Sequence, residues 1–152
     1  MTRTDTSTAK PGTRFFHKTY PPITRHALAM YCAGSGDHNP IHVDSDFAKA
    51  SGYPDVFAHG MLVMAYLGRS LTDTISTSAV RSYSVRFVSI TQIHAEITCE
   101  AVVAEAFEEA GEHRARLSLV AKDQAGDVKL RGETVVGLGC RRPERLRALI
   151  DL

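Results

Sequence analysis

From Val80 onward the apolar residues fall on every second position. Tyr83, Val85 and Phe87 alternate with Ser82, Ser84 and Arg86, and Ala95, Ile97, Cys99, Ala101 and Val103 alternate with Glu96, Thr98 and Glu100. The same period returns at Ala115, Leu117, Leu119 and Ala121. After the hairpin-loop residues Asp123-Gln-Ala-Gly-Asp127 a further strand is expected from Val128 to Leu138. A period of two places one face of each strand in a core, so the pattern predicts four or five antiparallel strands with one apolar face to cover. Phe57-Ala-His-Gly-Met-Leu-Val-Met-Ala-Tyr-Leu-Gly68 is the only segment suited to cover it. It is apolar on nearly every side, which predicts a central helix buried all round. The expected class is α+β, with the sheet wrapped around that helix.

The first half of the chain supplies shorter elements. Gly12 to Ile23 fits a short strand followed by an extended connector through Pro21-Pro22. Thr24 is placed to cap a helix carrying Ala27, Leu28, Met30 and Tyr31 on one stripe, ended by Gly34 and Gly36. Asp44-Ser45-Asp46 offers a second cap before Phe47 to Ala50, and Gly52 can close that helix in the left-handed region. Leu146, Leu149 and Ile150 suggest a short C-terminal amphipathic helix. The expected organisation is a flexible tail over 1–11, one domain over 12–140 and a helical tail over 141–152.

Composition narrows the setting. With 152 residues, 43% of them apolar, the chain can bury a single-domain core without disulfide support. A formal charge of +1 gives no global attraction to nucleic acid or an anionic membrane. The Thr- and Ser-rich start has no apolar segment resembling a signal or anchor, and the run Met61 to Leu67 is too short to span a bilayer. The three cysteines, Cys32, Cys99 and Cys140, form no zinc or Cys-x-x-Cys pattern, which suits a reducing cytoplasm.

Chemistry concentrates in Tyr31-Cys-Ala-Gly-Ser-Gly-Asp-His-Asn-Pro-Ile-His42. Pro40 disfavours helical geometry at Asn39, so Asp37 and His42 are not two rungs of one helix, and the turn aims both at one cleft. Such a pair can activate water, bind a metal, or cap helices and satisfy a loop. A wider set, Asp37, His38, His42, Asp44 and Asp46, has ligand-type side chains, but its spacing matches no metal motif. His38 is expected to face solvent and Tyr31 to pack beneath the loop. Cys32 reads as a small buried residue, and Met61 and Met64 as core filler.

The pattern Tyr31-x-x-Gly34-Ser35-Gly36-Asp37-x-Asn39-Pro40-Ile41-His42-x5-Ala48 resembles the signature of MaoC-like, (R)-specific enoyl-thioester hydratases. Ala58-His59-Gly60-Met61-Leu62 resembles that family's second motif. The resemblance covers residues 12 to 139 and implies the hot-dog fold. It also implies addition of water to a trans-2-enoyl thioester, giving an (R)-3-hydroxyacyl thioester, or the reverse dehydration. On this chain Asp37 and His42 then divide the acid and base roles, Asn39 positions water or a catalytic side chain, and the Gly60 amide serves as oxyanion donor. His59 stays outside the catalytic set, as a loop-orienting or buried backbone-bonded histidine. No metal and no cofactor are implied; coenzyme A or acyl carrier protein enters as part of the substrate. A homodimer is expected, with a heterodimer as the variant.

Two positions depart from the pattern. Relatives carry a Pro-Gly-Asp turn after an Arg-Phe strand, where this chain has Arg86-Phe-Val-Ser-Ile-Thr-Gln-Ile-His94, and a serine late in the central helix, where this chain has Gly68. Two other functions remain compatible with the fold: a hot-dog acyl thioesterase, and a non-catalytic acyl-thioester-binding subunit of a heterodimeric dehydratase.

Overall fold

Thr24 starts the first helix as its side chain predicts. Its Oγ1 accepts from the Ala27 N–H at 3.1 Å, and helix α1 (Arg25–Ser35) runs through Gly34 to a left-handed Gly36 at φ 76°. Asp44 caps α2 (Ser45–Ala50) through Oδ1, which accepts from the Asp46 and Phe47 amides at 2.9 and 3.1 Å. The computed structural model describes residues 9–139. The helical tail, Cys140 and the first eight residues of the expected N-terminal tail lie outside them.

Five strands form: β1 (Arg14–Thr19), β2 (Val80–Phe87), β3 (Thr98–Glu109), β4 (Glu112–Lys122) and β5 (Val128–Gly137). The expected alternation of burial holds in β4 and the first half of β3, whereas in β2 Phe87, expected on the core face, is 51% exposed because the strand is an edge. They form one antiparallel sheet in the order β1-β3-β4-β5-β2. Cys99, Ala101, Val103, Ala115, Leu117, Leu119 and Ala121 are all buried on its inner face. Ala95 and Ile97, expected in the same strand, lie just ahead of β3; their carbonyls accept from the Ile23 and Tyr20 amides at 3.0 and 2.8 Å. The connector after β1 takes the bonds that a strand would have used.

The central helix α3 (Gly60–Thr74) lies in the sheet's concavity with Leu62, Val63, Leu67 and Leu71 inward. Each such side chain contributes about 1.5–3 kcal/mol by leaving water. Two phenols fix its depth: Tyr20 donates to the Tyr66 carbonyl at 2.9 Å and Tyr83 to that of Met64 at 2.8 Å. The helix begins later than its apolar run because Phe57 bridges to Gln92 and the Ala58 N–H donates to the Thr91 carbonyl at 2.8 Å. It is also not buried all round. Met61, expected as core filler, is 53% exposed, whereas Met64 does pack on the core. One sheet covers one side of the helix, and among the described residues no second layer covers the other.

Candidate active site

Three short segments meet at the start of α3. The turn after α1 carries Asp37, whose Oδ1 accepts from the Asn39 N–H at 3.3 Å. Asn39 is extended (φ −59°, ψ 120°), as a residue before proline must be, and its Oδ1 caps the 3-10 turn Pro40–His42 by accepting from the Ile41 N–H at 3.1 Å. That turn delivers His42, 9% exposed, with Nδ1 at 2.8 Å from the Phe57 carbonyl. A carbonyl only accepts, so Nδ1 carries the hydrogen, and in the neutral ring Nε2 keeps its lone pair. His59 and Gly60 complete the group. Side-chain ligand atoms of Asp37, His42 and His59 all lie within 4.8 Å of one another.

His59 is the buried, backbone-bonded histidine that the sequence allowed; its stacking on His42 is what the sequence did not show. It is 1% exposed, stacks on His42 with ring centroids 3.9 Å apart and planes 29° apart, and donates from Nε2 to the Asp37 carbonyl at 3.3 Å. Burial, and then the His42 ring, hold its imidazole below the ordinary histidine value despite the Asp37 contact. Tyr31 leans on the His59 ring at 4.9 Å, half-buried, and burial followed by the Asp37 charge raises its phenol. No signal within the motif would have shown the stacking, because His42 and His59 meet only through the fold.

Gly60 is the first residue of α3, and no side chain caps that end, so the helix opens with amide hydrogens that have no partner within the helix. A β-carbon there would sit 2.9 Å from two atoms of the Phe87 ring. A groove of about 340 Å³ runs from Gly60 past Val63 and Phe87 to Leu130. Phe57 and Ala58 line it, whereas Asp37 and His42 do not. It therefore reaches the helix start without including the acid and imidazole.

The donor types of Asp37, His42 and His59 suit a metal ion, but the ring geometry does not. Imidazole lone pairs lie in the ring plane, and two stacked rings send theirs side by side rather than to one point. The other members of the wider acidic and histidine set are placed elsewhere: Asp44 caps α2, and exposed His38 turns its Nδ1 to the buried Cys32 Sγ at 3.6 Å.

A five-stranded antiparallel sheet wrapped around one helix, with an acid and an imidazole at that helix's start, defines a hot-dog domain. The family model described as "MaoC like domain" matches residues 6–123, and the chain belongs to that family. Among curated proteins it is 45% identical over 65 residues to 3-hydroxyacyl-thioester dehydratase X of Mycobacterium tuberculosis, a match covering 43% of this chain and 22% of that protein. It is 30% identical over 69 residues to the peroxisomal enoyl-CoA hydratase 2 of Arabidopsis thaliana, again covering 43% and 22%. The matched stretch is thus less than a quarter of either relative's length. The solved R-hydratase PhaJ1 from Pseudomonas aeruginosa superposes with a TM-score of 0.78 at 22% identity, over 91% of this chain and 86% of that one. At that identity the likeness establishes the fold.

Proposed function

We propose that the protein adds water to a trans-2-enoyl thioester, giving an (R)-3-hydroxyacyl thioester, and runs the reverse dehydration when product accumulates. The observation that carries this reading is the meeting of Asp37, the free Nε2 of His42 and the uncapped glycine start of α3 in one place. The hydratase and dehydratase names of the relatives support it.

Hydration needs two proton transfers and one charge to stabilise. As the water oxygen bonds to the β-carbon, one of Asp37 and His42 takes a water proton; the other protonates the α-carbon. Because Nδ1–H of His42 is tied to the Phe57 carbonyl, Nε2 is the ring nitrogen that exchanges a proton with substrate. Negative charge passes to the thioester oxygen as the enolate forms. The amide at Gly60, on the positive end of the helix dipole and without a side chain in the way, is suited to receive it. Asn39 spends its side-chain oxygen on the turn, which leaves its NH₂ as the end to hold water.

The chemistry asks for no metal or redox cofactor, and the carrier, coenzyme A or acyl carrier protein, belongs to the substrate. The buried, free Cys32 and Cys99 suit a reducing cytoplasm. No helix among the described residues is long and apolar enough to cross a membrane. We place the working unit as a homodimer, because the groove lacks Asp37 and His42 in its walls and β2 leaves an open edge beside it.

Loss of the enoyl-thioester absorbance tests the reading, first on crotonyl-CoA and then on a longer trans-2-enoyl-CoA. The wild type should consume both, and Asp37→Asn should lose about 100-fold or more in kcat. Equal rates in the two proteins would remove Asp37 from the mechanism. Release of free thiol without hydration would replace the hydratase by a thioesterase.

A further inference from the structure

We infer that His59 is a positioning residue for the proposed hydration: a buried imidazole that holds the Asp37 loop and the His42 ring in one geometry. The inference rests on the assignment of Asp37 and His42 as the acid/base pair.

His59 touches each part of the site. Its Nε2–H holds the Asp37 backbone carbonyl at 3.3 Å, its ring lies against that of His42 at 3.9 Å, and its own carbonyl accepts from the Leu62 N–H at 3.0 Å in the opening turn of α3. One residue, through its ring and its backbone, thus ties the acid's loop and the imidazole's ring to the helix that presents Gly60. Packing alone asks for much less. A leucine or methionine would fill the space without polar atoms, yet the ring leaves Nδ1 buried with no hydrogen-bond partner. A buried acceptor without a donor is unfavourable and rare in native proteins.

That bare nitrogen opposes a charge on His59, in the same direction as its burial. Protonation would create an N–H at Nδ1 with nothing to receive it, in a ring stacked on that of His42. The titratable groups facing it are Asp37 from the loop after α1, His42 from the 3-10 turn and Tyr31 from α1.

Three variants divide the role. His59→Gln keeps a donor for the Asp37 carbonyl and loses the ring; His59→Phe keeps the ring and loses the donor; His59→Leu loses both. Thermal melting and circular dichroism identify the folded fraction, to which kcat and KM are referred. We expect kcat to fall about tenfold in Gln and Phe and about 100-fold in Leu, with KM close to wild type. We also expect the His42 ring-proton shifts, read by NMR, to move in His59→Gln and His59→Leu, where the stacked ring is gone, and to stay close to wild type in His59→Phe, where a ring remains. The NMR readout needs no turnover, so it stands even if no enoyl thioester is consumed, an outcome that would count against the hydratase reading instead. Unmoved His42 ring-proton shifts in all three folded variants, or kcat per folded molecule equal to wild type, would overturn the role of His59.

Discussion

At Gly60 the space above the helix start is shared with the half-exposed Phe87 ring, which a β-carbon would approach to 2.9 Å. Phe87 is the far end of a flexible side chain and can swing aside, and alanine favours a helix by about 1 kcal/mol over glycine. Gly60→Ala should therefore melt within a few degrees of wild type, yet lose about tenfold or more in kcat on crotonyl-CoA because the thioester can no longer reach the amide. A large fall in melting temperature with unchanged kcat would deny the glycine that part. Far from the site, Glu112 accepts from Arg81 Nε at 2.9 Å and Arg114 Nε at 2.6 Å, and these bonds hold its carboxyl down at about 2. An acid depressed on folding stabilises above its unfolded value and loses that contribution as pH falls through its folded one. The urea-midpoint difference between wild type and Glu112→Gln should thus be full at pH 7 and fade toward pH 2. Asp37 and His42 were legible in the sequence because Pro40 and the neighbouring glycines force a turn whatever surrounds them. The burial and backbone bond of His59 were expected too, but its stacking on His42 was not, since that partner is many residues away.

Among the elements, the segment between β2 and β3 does more than connect. Lys129 on β5 is 4% exposed, and its ammonium reaches Asp127 at 2.6 Å, Asp123 at 3.1 Å and the Ile90 carbonyl at 3.0 Å. Burial pulls this lysine down, but the bonds to Asp127 and Asp123 outweigh it and hold the ammonium above its ordinary value. Ser89 donates to Asp127 as well, and the Thr91 carbonyl then accepts from Ala58, next to the Phe57 whose carbonyl holds His42. Hence the β4–β5 hairpin is tied, through the wall of the groove, to the backbone that holds the His42 imidazole. Lys129→Met should cost about 2 kcal/mol by removing the charge-assisted bonds to Asp123 and Asp127, and should speed hydrogen exchange at the Val88 and Ala58 amides. Unchanged exchange there would show the tie to be local. Helix caps and strand alternation are local signals, and Thr24, Asp44 and the β4 residues announced them. The start of α3 depended on Gln92 and Thr91, partners from beyond β2, and no local pattern records them.

For the molecule as a whole, the consequential feature is the outer edge of β2, a strand bonded to β5 alone. Beside it stand Phe87, Val88, Ile90 and Met61, all exposed and apolar. An open edge with an apolar flank favours pairing with a second copy. Light scattering should report a dimer, and Val88→Asp should shift it toward monomer and lower activity with it; a wild-type monomer at full activity would refute the pairing. The fold class was legible because a period-two pattern with one apolar helix has few solutions; the edge that stays open was not, since strand order is not written in periodicity. That order also sets a schedule. On the ribosome β2 emerges before β3, β4 and β5, yet the strand it must bond to is the last to be made. At roughly 5–20 residues per second it waits for seconds beside an unfinished sheet. Arg81, Ser82, Ser84 and Arg86 interleave its apolar residues, so the stretch that later forms the sheet's outer edge is also written to survive alone until its partner arrives.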